Sequence, residues 1–206
     1  MNKEEFIEQL KQNGIFADKS KVDEMFAFME KTLEINEFFN LTALKYREDF
    51  IEKMLFDSAL ANLGIDYKDK EIIDVGTGSG ILGIDAALLG AGHVLAVDID
   101  QDAVKVAAEN VANNHVQEIV TVQQGNLLEK VDAVCDICVA NIISDIIISF
   151  AAPLMSHIRP GGLFICSGIV SMRADEVAQA LLDAGYEILQ KYTRGEWTAF
   201  LSRRNA

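Results

Sequence analysis

The sequence predicts an α/β fold built on a seven-stranded, mostly parallel sheet that ends in an antiparallel hairpin and is preceded by N-terminal helices. Three observations carry this reading. From residue 71 onward, short apolar runs alternate with amphipathic stretches at the spacing of a strand and helix repeat. The first of those runs, Glu71-Ile72-Ile73-Asp74-Val75, drops into alternate glycines at Gly76, Gly78 and Gly80 before Ile81-Leu82-Gly83-Ile84, which reads as a buried strand, a turn and a helix start. Near the end, Thr193-Arg194-Gly195 separates two strands with no room for a crossover helix, so that pair must be antiparallel.

In chain order, residues 1–65 read as a helical segment packed on a main domain of residues 66–206. Phe6, Ile7 and Leu10 make a first stripe; Val22, Met25, Phe26, Met29 and Leu33 recur at the spacing of one helix face; Ile51, Met54, Leu55 and Ser58 make a third. Residues 36–42 read as a turn with Phe38 and Phe39 tucked inward. Strands are expected near 71–75, 93–98, 119–123, 136–140, 162–168, 186–192 and 196–203, and helices near 80–89, 101–113, 144–157 and 172–184. Pro160-Gly161-Gly162 is expected to turn the chain before the fifth strand.

Composition narrows the classes. Half of the 206 residues are hydrophobic, enough for a substantial core. Eighteen basic against thirty-two acidic residues give a net charge of -14, and both the first seventy residues and the remainder are net acidic. Phosphate neutralisation supplies most non-specific nucleic-acid affinity, so RNA is disfavoured as a partner. No apolar run has the length of a membrane span, the N-terminus does not read as a signal peptide, and a cytoplasmic protein is expected. Cys135 and Cys138 form a CxxC, but three apart in a strand they should face opposite ways; with Cys166 they read as buried free thiols. His93, His115 and His157 lack metal-ligand spacing, so no metal is expected.

The glycine turn is where chemistry concentrates. Bare positions at Gly76, Gly78 and Gly80, with Thr77 between them, let a ligand lie against backbone at the head of a helix. Gly78-Ser79-Gly80-Ile81-Leu82-Gly83 also fits a dinucleotide fingerprint with Asp98 twenty residues on. Asp74, at a strand end where it is placed to hold the ammonium of a methionine tail, and the terminal antiparallel pair favour S-adenosylmethionine over a nicotinamide. Asp98, closing the next strand, is placed to bind the ribose, or else to cap the helix starting near Gln101. Ile99 follows it on one face of the adenine. Asn126 and Leu127, after the third strand, stand where an amide meets the adenine amino group; an ordinary turn is the other reading of Asn126. Asn141, after the fourth strand, is placed nearest the reaction, where its carbonyl orients an attacking amine, unless it caps the helix near Ser144. Trp197 either walls the entrance or packs in the core.

Two resemblances follow from these residues. Asp74-Val75-Gly76-Thr77-Gly78-Ser79-Gly80-Ile81-Leu82, Ala96-Val97-Asp98-Ile99-Asp100, Val139-Ala140-Asn141-Ile142, Pro160-Gly161-Gly162, Ser167-Gly168-Ile169 and Gly195-Glu196-Trp197 are similar in order and spacing to the ribosomal protein methyltransferase family that modifies the large-subunit stalk-base protein. The resemblance spans about residues 71–204 and implies a Rossmann-like S-adenosylmethionine-dependent methyltransferase fold, with methyl transfer to protein amines and a ribosomal protein as partner. Further upstream, Asn40-Leu41-Thr42 and Glu52-Lys53-Met54-Leu55-Phe56-Asp57-Ser58 resemble the helical N-terminus of the glucose-inhibited division protein B family of rRNA guanine methyltransferases, with Met54 where that family has histidine. The pair of resemblances reads as a hybrid. The alternatives to a protein-amine methyltransferase are an rRNA methyltransferase and a hybrid that binds cofactor with little catalysis.

Overall fold

Seven strands hydrogen-bond into one sheet in the order β3-β2-β1-β4-β5-β7-β6. In the computed structural model these are β1 (Glu71–Val75), β2 (His93–Asp98), β3 (Val120–Gln124), β4 (Cys135–Asn141), β5 (Ile158–Val170), β6 (Tyr186–Arg194) and β7 (Trp197–Arg204). The structure describes residues 1–12, 19–39, 46–50, 65–129 and 131–205. The first five strands pair in parallel, and β7 lies antiparallel between β5 and β6. Strand order therefore reverses between β1 and β4. In such a sheet the crevice beyond the carboxyl ends at the reversal is where ligands bind.

Helices α4 (Ile81–Leu88), α5 (Gln101–Asn113), α6 (Ser144–Leu154) and α7 (Ala174–Asp183) follow β1, β2, β4 and β5. Nearly continuous burial along β1, β2 and β4 is what a parallel sheet covered on both faces requires. One face carries Ile73, Val75, Cys138, Ala140, Phe164 and Cys166, closed over by Ile147, Phe150, Leu154, Val177 and Leu181 of α6 and α7. There the Phe150 and Phe164 rings meet edge to face at 5.9 Å, a favoured aromatic geometry.

Three departures from the expected elements have local causes. Pro160-Gly161-Gly162 does not precede β5 but lies within its span. Pairing jumps from Cys135 with Ile158 to Ile137 with Leu163, so the proline falls on extra residues that need no ladder N–H. The expected divergence of the CxxC is not observed: Cys135 and Cys138 join Cys166 in one core cluster. All three are free and buried, and burial pushes Cys135 and Cys166 up to about 12 and Cys138 upward as well, leaving inert thiols. Helix α6 stops at Leu154, three residues early, because Pro153 occupies its last turn and Met155 and His157 continue with tighter bonds to Ala152 and Leu154.

The chain divides into two units, Met1–Asp66 and Tyr67–Ala206. In the first, α1 (Lys3–Gln12), α2 (Lys19–Phe39) and the short α3 (Arg47–Phe50) are described. Phe6, Leu10, Val22, Phe26 and Met29 are buried together with Ile7, Met25 and Leu33 partly packed on them, so the first two stripes form one small core. Each such burial stabilises by roughly 1.5–3 kcal/mol. Helix α2 runs through Phe39, where a turn from residue 36 was expected; with no glycine or proline between Lys19 and Asn40, nothing stops it. The third stripe and the segments of the second resemblance, Asn40 to Thr42 and Glu52 to Ser58, lie outside the described residues. Among the described residues no helix is long and apolar enough to cross a membrane, and no three metal-ligating side chains converge.

Candidate active site

Three loops at the carboxyl ends of β1, β2 and β3 are stitched together by short contacts. After β1, Gly76 and Thr77 both donate backbone N–H to Val97 O, at 2.8 and 3.0 Å, which folds the glycine turn over β2. Gly78 N–H donates to Asp98 Oδ2 at 2.8 Å, and Asp100 N–H donates to Asp98 Oδ1 at 2.9 Å. Gly125 N–H, after β3, donates to Asp98 O at 2.9 Å. Asp98 thus ties three loops together, with carboxylate lone pairs left over for a ligand. It does not cap α5; Asp100 does, accepting from Asp102 N–H.

Asp74 lies near the end of β1, as expected, with its carboxylate largely engaged within the protein. It is fully buried in β1, with Oδ2 accepting from Thr77 Oγ1 at 2.5 Å and from Gly83 N–H at 3.0 Å. Gly80, the N-cap of α4, has no side chain to offer, so Asp74 satisfies one of the orphan donors of that helix from outside it. Its Oδ1 has no hydrogen-bond partner among the described residues. Burial pushes the carboxyl up to about 6, against the two hydrogen bonds, which lower it. A ligand ammonium would have to meet that one remaining oxygen.

The three glycines also separate. All have positive φ, but only at Gly78 does no described residue lie within 4 Å of where a side chain would project; a Cβ on Gly76 would lie 2.5 Å from Ile142 Cγ2, and one on Gly80 3.3 Å from the Ala107 backbone. Gly78 leaves bare backbone at the turn, while Gly76 admits the loop after β4 and Gly80 admits α5. Gly78→Ala is accordingly expected to weaken cofactor binding at least tenfold by calorimetry while costing only the roughly 1–2 kcal/mol of a left-handed L-residue. Gly76→Ala adds overpacking of about 1–3 kcal/mol to the same strain and should lower the urea midpoint more than Gly78→Ala does.

Around this turn Ile99 is 66 % exposed, a large apolar side chain without protein cover, and its carbonyl accepts from Gln124 Nε2 at 3.3 Å. Asn126 donates to Glu129 Oε1 at 2.7 Å, which is the turn reading of that residue. Leu127 holds φ at +51°, a strained value for leucine of the kind that gathers at ligand sites. Asn141 ends β4 opposite Ser167 and is exposed; helix α6 carries no side-chain cap, so the capping alternative does not hold. Trp197 is 58 % exposed, so core packing does not account for it. One contributor was missed in the sequence: Asn110 of α5 donates from Nδ2 to Ser79 O at 2.8 Å, pinning the glycine turn from its far side.

Compared with known proteins, residues 57–205 match the family model described as ribosomal protein L11 methyltransferase (PrmA). The chain belongs to that family. It is 48 % identical over 138 residues to the ribosomal protein L11 methyltransferase of Desulforamulus reducens, covering 67 % of this chain and 45 % of that protein. Against the Heliobacterium modesticaldum relative it is 46 % identical over 138 residues, covering 67 % and 44 %. The chain thus spans under half the length of the curated relatives it matches. A crystal structure of the ribosomal protein L11 methylase from Lactobacillus delbrueckii subsp. bulgaricus superposes with a TM-score of 0.70 at 34 % identity, covering 75 % of this chain and 80 % of that one. An RNA methyltransferase from Salinibacter ruber in complex with S-adenosyl-L-homocysteine shares the fold at 17 % identity and a TM-score of 0.56, covering 79 % and 94 %.

Proposed function

We propose that this family member is an S-adenosylmethionine-dependent methyltransferase acting on amines of a ribosomal protein, with residues 66–206 as its methyltransferase domain and residues 1–65 as an appended helical segment. The observation that carries the reading is the Gly78 and Asp98 pair: an open backbone floor hydrogen-bonded to a carboxylate that keeps free lone pairs, in a chain of this family. The buried, unpartnered Asp74 Oδ1 and the uncovered Ile99 are a polar and an apolar feature that such a cofactor would satisfy. The three free thiols suit the reducing cytoplasm.

When bound, S-adenosylmethionine supplies a sulfonium methyl: its carbon–sulfur bond breaks as a carbon–nitrogen bond forms to a neutral amine, a thioether departs, and the amine proton leaves to solvent. The protein's part is alignment, which supplies most of the acceleration in such a displacement. Asp98 accepts from the ribose hydroxyls, Ile99 and Leu127 flank the base with Asn126 at its edge, Gly76, Thr77, Gly78 and Gly80 shape the floor, and Asn141 orients the incoming amine. Incubating the chain with methyl-labelled cofactor and ribosomal subunits is expected to place label in a protein fraction, on lysine or N-terminal amines. Label in RNA alone, or calorimetric cofactor binding with no label in any ribosomal component, would overturn the proposal.

A further inference from the structure

We infer that Gly168 is a positioning residue for Asn141: its missing side chain is the seat that fixes the Asn141 amide at the site. The inference rests on the role proposed for Asn141 above, but the geometry that carries it is independent of that role. Asn141 makes no side-chain hydrogen bond among the described residues, so bonding does not fix its amide. What meets it is β5. Ile142 N–H donates to Ser167 O at 3.2 Å, and a Cβ built on Gly168 would stand 2.7 Å from Asn141 Oδ1, 2.9 Å from Ile142 O and 3.2 Å from Ile142 N.

The backbone at this point is shaped for that approach. Gly168 has φ +79°, a conformation in which an L-residue is strained. It lies in a one-residue bulge: β5 advances from Cys166 to Ile169 while its partner β7 moves only from Phe200 to Thr198. Bulges re-aim neighbouring groups at the rims of sheets. This one presents a bare α-carbon to the residue that ends β4. From the far side, Arg173 Nη1 reaches Asp145 Oδ1 at 2.6 Å and its other nitrogens hold Glu176, tying the chain that follows β5 to the start of α6. The chain that follows Asn141 is therefore held at one end by β5 and at the other by the turn after β5, and the Asn141 amide keeps its oxygen and N–H for a ligand.

Backbone strain and loss of the seat can be separated because the chain supplies its own control. Gly161 has nearly the same φ, +78°, but no described residue lies within 4 Å of where its Cβ would stand. Gly161→Ala and Gly168→Ala should both lower stability through strain. Only Gly168→Ala is expected to shift the side-chain amide resonances of Asn141 in the ligand-free protein, to lower kcat about 100-fold as a displacement of about 1 Å does, and to leave cofactor Kd within about twofold. In an Asn141→Ala background Gly168→Ala should cost no further turnover, since residues that act through each other are not additive. Unmoved Asn141 resonances in Gly168→Ala, or a loss of turnover equal to that of Gly161→Ala, would overturn the inference. Absence of methyl transfer by the unaltered protein would instead sink the proposed function, leaving the resonance shift to judge Gly168.

Discussion

Asp74→Asn is expected to stabilise the ligand-free protein at pH 7 while weakening its hold on the cofactor. Burial raises this carboxyl from 3.8 to about 6, so below about pH 4 it is protonated in both folded and unfolded chains and costs nothing. As pH climbs through 6, the folded protein must carry a buried charge that the unfolded chain already carries in water. Stability is therefore present at low pH and lost as pH rises through about 6, by about 3 kcal/mol for a shift of roughly two units at about 1.4 kcal/mol each. Asparagine keeps an oxygen for Thr77 Oγ1 and Gly83 N–H without that charge, so the urea-derived stability at about pH 7.5 should rise by about 1–3 kcal/mol. The decline between about pH 4 and 6 should shrink without vanishing, because burial also raises Asp85 to about 6. Cofactor affinity should move the other way. An ionised Asp74 with an unpartnered oxygen attracts an ammonium, so wild-type affinity should increase on the order of tenfold between pH 5 and 7, and Asp74→Asn should be weak and flat. Equal, pH-independent affinities in both proteins would leave Asp74 as a brace of the turn and nothing more.

The opposed trends show how far the primary structure could be read. Periodicity located the strands because burial on both faces leaves an unbroken apolar run, and β1, β2 and α5 begin and end where the pattern says. The antiparallel ending was legible because three residues cannot hold a crossover. What the linear pattern did not carry were relations between strands. The slip opposite Cys135 depends on how many residues β5 inserts there, and the clustering of both CxxC thiols with Cys166 is a relation to β5 that spacing within one strand does not show. The division of labour among Gly76, Gly78 and Gly80 depends on Ile142 and Ala107, which arrive from other elements. Asp74 was legible as a strand-end acid only in type; that its carboxylate is spent on Gly83 follows from α4 folding back over β1. Asn110 carried no signal, since an asparagine near the end of an exposed helix is ordinary until its Nδ2 is found on Ser79 O.

Asn141→Ala is the substitution expected to separate chemistry from binding most sharply. The residue ends β4, whereas the Gly78 and Asp98 floor is built from the loops after β1 and β2, and nothing in the described fold leans on a hydrogen bond from its side chain. Truncation should leave cofactor Kd within about twofold and the urea midpoint nearly unchanged, while kcat falls about 100-fold as the amine loses its orientation. Asn141→Asp tests which atom matters. An amine attacks only when neutral, and a lysine begins near about 10.4; a carboxylate beside it favours the charged form, so the acceptor must give up its proton against a stronger pull. With the oxygen in place, the aspartate variant should regain rate at high pH, its kcat/KM profile displaced upward by about one unit, whereas the alanine variant stays slow at every pH. An aspartate variant as slow as alanine throughout would mean that the amide N–H, donating to an acceptor carbonyl, carries the effect instead.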